Sequence, residues 1–212
     1  MPYFVAQFLG AFAAAAVLYV LFGDAISTFE SANGIVRGQS GSEASAMVFG
    51  EFFPNPGGHP LTREIRHRMS TKSAFCAEVL GTAVLLLVIL GVTDERNKSR
   101  SQILTAATIG LTVTLLISLL GPLTMACFNP ARDLAPRVFS ALAGWDRVPF
   151  EVNGTGWVSV YIIAPFLGGL PGGALYRFFF KRAYLLTSRV TSTEREHLEL
   201  EVEVPVDVGK QR

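Results

Sequence analysis

Gly121-Pro-Leu-Thr-Met-Ala-Cys-Phe-Asn129-Pro130-Ala131-Arg132-Asp133-Leu-Ala-Pro-Arg137 joins one long apolar segment to another. Asn129 suits a helix N-cap, because its side-chain oxygen can accept from the first free N–H groups, and Pro130 suits the first helical position, where no N–H is missed. Beyond them Leu134, Val138, Phe139 and Leu142 recur at helical spacing, which predicts a helix over about residues 130–143. Such a helix is too short to cross a bilayer, which takes roughly 20 residues. Non-helical backbone at membrane depth is tolerated only inside protein or beside a water-filled cavity. The stretch therefore predicts a re-entrant loop and half-helix at a pore.

The flanking sequence agrees with a membrane protein. Half of the 212 residues are hydrophobic (50%) and only 17% are charged, and the apolar residues fall in runs. Residues 3–22 carry no charge, with Gln7 as their polar amide. A signal peptide would have a basic start and a shorter apolar core, so this run reads as a first span. Gly10, Ala13 and Ala14 offer small residues for close helix packing. Residues 74–92 form a second span containing Glu78, residues 103–120 an uncharged third span, and residues 157–180 a fourth, with Trp157 and Tyr161 at one end for an interfacial belt and Lys181-Arg182 closing the other. In the fourth, Gly168, Gly169, Gly172 and Gly173 make a flat face for a neighbouring helix. The expected fold is an all-α membrane bundle of four transmembrane helices plus one re-entrant half-helix over residues 1–182, followed by an acidic, disordered tail over 183–212.

Arg96, Lys98 and Arg100 make a short basic connection on the same side as Lys181-Arg182. The excess of basic residues marks that side, and with it the C-terminus, as cytoplasmic. Residues 23–73 then lie outside, rich in turn-forming Gly and Pro, and read as a surface loop in which Asn55-Pro56 is a turn. His59 and His67 lie among charges there without a Cys or third His, so no metal site is expected. Cys76 and Cys127 fall in apolar surroundings and suggest neither a disulfide framework nor a metal site. Asn153-Gly154-Thr155 fits an N-glycosylation acceptor, a triplet that also arises by chance. The net charge of +1 argues neither for nor against nucleic acid, and a channel calls for none.

The motif supplies donors and acceptors rather than catalysts. With its oxygen engaged in capping, Asn129 would present a fixed NH₂, the helix N-terminus would add partial positive charge, and Arg132 would supply a full one. The non-helical carbonyls of Met125, Ala126, Cys127 and Phe128 would be acceptors facing them. Such a constriction would pass neutral hydroxylated molecules and oppose cations. The competing reading is that Arg132 and Asp133 form a buried ion pair that only anchors the loop. Glu78 reads as an acceptor for unpaired backbone N–H groups rather than as part of a proton relay, since no other ionisable residue in the spans continues one. No nucleophile–base pair or metal cluster is visible, so no enzyme and no cofactor is expected.

Gly121-Pro-Leu-Thr, Asn129-Pro-Ala-Arg-Asp133, Phe139 and Ala143-Gly-Trp145 resemble the second half of the major intrinsic protein (aquaporin) family. Within it, Asp133 after the arginine and Pro165 in the last span are similar to the glycerol facilitators (aquaglyceroporins). Further matches are Gln7 with Gly10-Ala11-Phe12, Ile35-Val-Arg-Gly38, Pro54-Asn-Pro56, Ala77-Glu78 and Thr93-Asp94. The resemblance implies a passive channel for glycerol, small neutral solutes and water, in the cell membrane and assembled as a homotetramer in the lipid bilayer. It implies that Asn129, Pro130 and Ala131 form the pore motif, that Arg132, Ile117 and Ala126 occupy the filter positions, and that Glu78 props the pore loop. Ala126 and Ile117 depart from the aromatic and histidine common at those positions, which leaves the solute open. The match begins at what resembles the third of six spans. The first two spans and the first Asn-Pro-Ala half-helix have no counterpart in this sequence, so the chain reads as a shortened channel whose pore needs both halves, with a non-conducting fragment of structural or assembly role, or a water-selective channel, as the alternatives.

Overall fold

In a computed structural model, residues 2–97 and 101–185 are described. The residues after 185, and with them most of the expected acidic tail, lie outside that range. Among the described residues the secondary structure is helical, with four helices long and apolar enough to cross a membrane: Pro2–Asn33, Thr71–Thr93, Gln102–Thr124 and Val158–Leu185. The half-helix runs over Pro130–Ser140 and continues in wider turns through Ala141–Trp145, where Gly144 (φ 109°) lets the chain leave the helix.

The first helix continues well past the apolar run, through Gly23 and Asp24, to Asn33. Gly23 and Asp24 mark the end of the apolar run, not of the helix, so the connection expected over residues 23–73 begins only after Asn33. The helix extends beyond the apolar run, where Glu30 becomes useful. Arg37 donates to both Glu30 oxygens (3.0 and 2.8 Å) and to the Tyr19 hydroxyl (2.6 Å), and stacks 4.2 Å over the Trp145 ring. Trp145 in turn donates to Ser45 Oγ at 2.9 Å. This cluster ties the connection between the first two spans to the end of the half-helix.

That connection is not a surface loop throughout. Ala46, Phe49, Phe52 and Leu61 are buried and pack with Ala15, Ile26 and Trp145. The Glu43 carboxylate, itself 2% exposed, receives the N–H groups of Gly41 (2.8 Å) and Leu61 (2.7 Å), which lets a turn-rich backbone enter the core without orphaned donors. Asn55 does form a turn, accepting from the Gly57 N–H at 2.9 Å.

The second span packs against both the third and the last. Gly168 and Gly172 allow the closest approach: a Cβ at either would lie 2.5 Å from a carbonyl of the second span, that of Val79 or Ala83. Gly173 faces open space, and Gly169 meets only the tip of Leu86 at 3.6 Å. The flat face is thus made by two of the four glycines. Gly10 has nothing within 4 Å, and Ala15 rather than Ala13 or Ala14 is the buried small residue of the first span. We expect Gly172→Ala to destabilise the protein by about 1–3 kcal/mol by forcing two helices apart. Gly173→Ala should be neutral or slightly stabilising, since alanine is the better helix former. Thermal unfolding in detergent would measure both.

Tyr161 was expected in an interfacial belt. It is instead fully buried, and its hydroxyl donates to the Thr124 carbonyl at 3.2 Å, where the third span ends. Trp157 lies half-buried against Phe150, with ring centroids 5.2 Å apart. Asn153 does not present its amide to solvent. It clamps Phe53, accepting from its N–H at 3.3 Å and donating to its carbonyl at 2.6 Å.

Candidate functional site

The third span ends at Thr124, and the chain then takes a conformation few L-residues adopt. Met125, Ala126 and Phe128 have φ of 62°, 57° and 54°. Left-handed backbone at a non-glycine costs of order 1–3 kcal/mol and persists only where surroundings hold it. Here each N–H of the loop is held. Met125 donates to the Gly121 carbonyl (2.9 Å) and Ala126 to Thr124 Oγ1 (3.3 Å). Cys127 and Phe128 donate to the two oxygens of Glu78 at 3.0 and 2.7 Å. Glu78 is 0% exposed, so these bonds are made where water does not compete. The expected role of Glu78 as a backbone acceptor thus has its geometry. With the N–H groups drawn inward, the carbonyls of Met125, Ala126, Cys127 and Phe128 have no hydrogen bond among the described residues.

Gly81 completes the seat of this loop. It lies against the Phe128 ring so closely that any side chain there would displace the ring. The Cys127 thiol is buried and donates to the Asn129 carbonyl at 3.2 Å.

Asn129 caps the half-helix as its sequence position predicts. Its Oδ1 accepts from the N–H groups of Ala131 (3.0 Å) and Arg132 (3.3 Å), with Pro130 as the first helical residue. Two recesses open beside it. One, of about 440 Å³, is lined by Gln7, Gly10, Ala14 and Phe49 with Asn129 and Arg132. The other, of about 510 Å³, is lined by Leu86, Val113, Ile117, Ala126, Asn129 and Arg132. Asn129 and Arg132 therefore face both, and the filter positions assigned by resemblance, Ile117, Ala126 and Arg132, share the second. Ile117 is 48% exposed there, whereas Ala126 is 5% exposed and contributes little side chain.

Arg132 and Asp133 do not pair as an anchor. Consecutive helical residues point apart, so each finds its own partner. Asp133 forms a fully buried fork with Arg137, one turn on: Nε to Oδ2 at 2.9 Å and Nη2 to Oδ1 at 2.8 Å. Arg137 also donates to the carbonyls of Glu51 and Pro149, and its guanidinium lies within 6 Å of the Phe52, Trp157 and Tyr161 ring centres (5.3, 5.7 and 5.6 Å). Asp133 further accepts the Glu51 N–H at 2.8 Å. Arg132 instead meets the Glu51 carboxylate and keeps half its side chain exposed (49%).

Sequence reasoning gave no role to Arg137 or Glu51. Arg137 carried a signal: an Asp–Arg pair at i,i+4 in an apolar segment, where an ionisable side chain needs a partner. Glu51 carried none, since nothing local says that a loop glutamate will reach the half-helix.

The family model described as Major intrinsic protein matches residues 1–176. The chain is 38% identical over 187 residues to the glycerol uptake facilitator protein of Pseudomonas aeruginosa, covering 86% of this chain and 62% of that protein. It is 32% identical to human aquaporin-9, covering 83% of this chain and 55% of the relative. Its fold is similar to the X-ray structure of the aquaglyceroporin from Plasmodium falciparum, with a TM-score of 0.67, 26% identity, and coverage of 87% of this chain and 65% of that one. The chain spans about three fifths of the length of such glycerol facilitators.

Proposed function

The chain belongs to the major intrinsic protein family, and from that premise we propose that it serves as a passive membrane channel for glycerol, other small neutral solutes and water. The observation that carries the reading is the division of polar groups at residues 125–132: the N–H groups are bonded inward, the carbonyls are free, and Asn129 and Arg132 face two recesses. A polyol needs both donors and acceptors as it sheds water, and its C–H edge needs an apolar wall such as Leu86, Val113 and Ile117. The half-helix N-terminus and Arg132 add positive charge that opposes cations. No group has to be transformed, so neither catalyst nor cofactor enters the reading.

The glycerol and propanediol facilitators among the relatives support the solute class by similarity. The basic residues between the second and third spans and after the last support a cytoplasmic C-terminus in a cell membrane. Largely exposed apolar faces on the first and third spans suit lipid and neighbouring copies, consistent with a homotetramer.

Vesicles carrying the protein should swell faster than empty vesicles in an inward glycerol gradient. Equal rates would overturn the channel reading. With Arg132→Ala, passage of larger or charged solutes should rise if Arg132 lines the filter. Unchanged selectivity would leave Arg132 with no filter role.

A further inference from the structure

Glu51 brings a carboxylate to the half-helix from the connection between the first two spans, and its main chain fixes where that carboxylate lies. The Glu51 N–H donates to Asp133 at 2.8 Å and its carbonyl accepts from Arg137. Gly50 beside it lies flat on the half-helix, where a Cβ would sit 3.4 Å from that of Arg137. The residue is 2% exposed. From this seat the side chain reaches Arg132, and its second oxygen, Oε2, has no hydrogen-bond partner among the described residues.

We infer that Glu51 is a positioning residue for the filter: it holds the Arg132 guanidinium in one place, so a passing solute meets its outward N–H groups at a fixed position. The inference rests on the channel reading above and adds a determinant of selectivity to it. Arginine is long and rotamer-rich, and half of this one is exposed beside the recesses. Left alone it would swing and present its donors over a range of positions. A buried carboxylate with one unsatisfied oxygen is unfavourable unless its counterion stays. That asymmetry makes Arg132 the partner Glu51 must keep. It also matters more where Ala126 leaves the filter without a bulky side chain, because the arginine's position then sets more of the opening.

The test is a double-mutant cycle on the ratio of glycerol to urea flux, in vesicles normalised for inserted protein. Glu51→Gln keeps the shape and removes the charge. It should shift the ratio by about two-fold or more, the low end of coupling within one ion pair. Glu51→Asp should restore most of the native ratio. In an Arg132→Ala background, Glu51→Gln should add nothing, because the group it acts through is gone. An unchanged ratio in Glu51→Gln, or the same shift with and without Arg132, overturns the positioning role. Should Glu51→Gln insert poorly, Glu51→Ala, which also removes the carboxylate, is compared with and without Arg132 under the same criteria. Absence of solute flux in the wild-type protein overturns the channel reading itself, and is seen without any variant.

Discussion

Arg137→Leu is expected to cost about 3–5 kcal/mol, because it leaves Asp133 charged, fully buried and without its counterion. The loss does not stop at the pair. Arg137 also satisfies the carbonyls of Glu51 and Pro149, so the variant orphans acceptors on two further segments in a box of three aromatic rings. A stability of only about 5–15 kcal/mol is usual for a folded domain, so the protein should accumulate poorly and unfold far below the wild type in detergent. Removing both charges, as in Asp133→Leu with Arg137→Leu, should recover part of the loss, since an apolar pair carries no desolvation penalty. Recovery stays partial because the Glu51 N–H still loses its acceptor. Arg68→Ala is the control. Its pair with Glu64 is 3.8 Å long and mostly exposed, and its removal should change stability by less than about 0.5 kcal/mol. Equal effects of Arg137→Leu and Arg68→Ala would sink this account of the buried fork.

What the sequence revealed follows from how local each cause is. Asn129 and Pro130 could be read as the start of a half-helix because capping is settled within three residues. Glu78 could be read as a backbone acceptor because a lone carboxylate in an apolar span has to find donors, although which N–H groups it would find depends on a loop some fifty residues away (|i−j| of 49 and 50). The second and third spans follow directly from uninterrupted hydropathy. Hydropathy failed at Gly23 to Asn33, where it reports depth in the bilayer and the helix simply runs on. It failed at Tyr161 too, because an aromatic near the end of a span reads the same whether it faces lipid or the core. The connection between the first two spans was the largest loss. Its Gly and Pro content predicted turns, which it has, but burial of Phe49, Phe52 and Leu61 depends on a half-helix encoded much later in the chain. Glu51 belongs to the same class: its backbone position is set by Asp133 and Arg137, and no window around residue 51 contains either.

Glu78→Gln tests whether the loop is held by its carboxylate or by its own backbone. Hydrogen bonds to a charged acceptor contribute about 1.5–3 kcal/mol each, and Glu78 accepts two backbone N–H groups of the loop, those of Cys127 and Phe128. Met125, Ala126 and Phe128 are held at positive φ, a strain of about 1–3 kcal/mol each. The two sums are of the same order, so the loop stays in place only while both bonds are made. Glutamine keeps one oxygen and turns an NH₂ toward the other N–H, setting donor against donor. The loop should relax, and relaxation should turn the carbonyls of Met125 to Phe128 away from the recesses that Asn129 and Arg132 face. The four spans do not depend on that carboxylate for their packing, since Gly168 and Gly172 set the contact between the second and last. Helix content and insertion should therefore survive while glycerol flux falls by about ten-fold or more, the effect of losing one such bond. Glu78→Asp, shorter by one methylene but still charged, should fall between the two. Circular dichroism together with vesicle swelling separates the outcomes: lost flux with intact helices supports the prop, and flux within about two-fold of the wild type would mean that the loop holds its strained shape without Glu78.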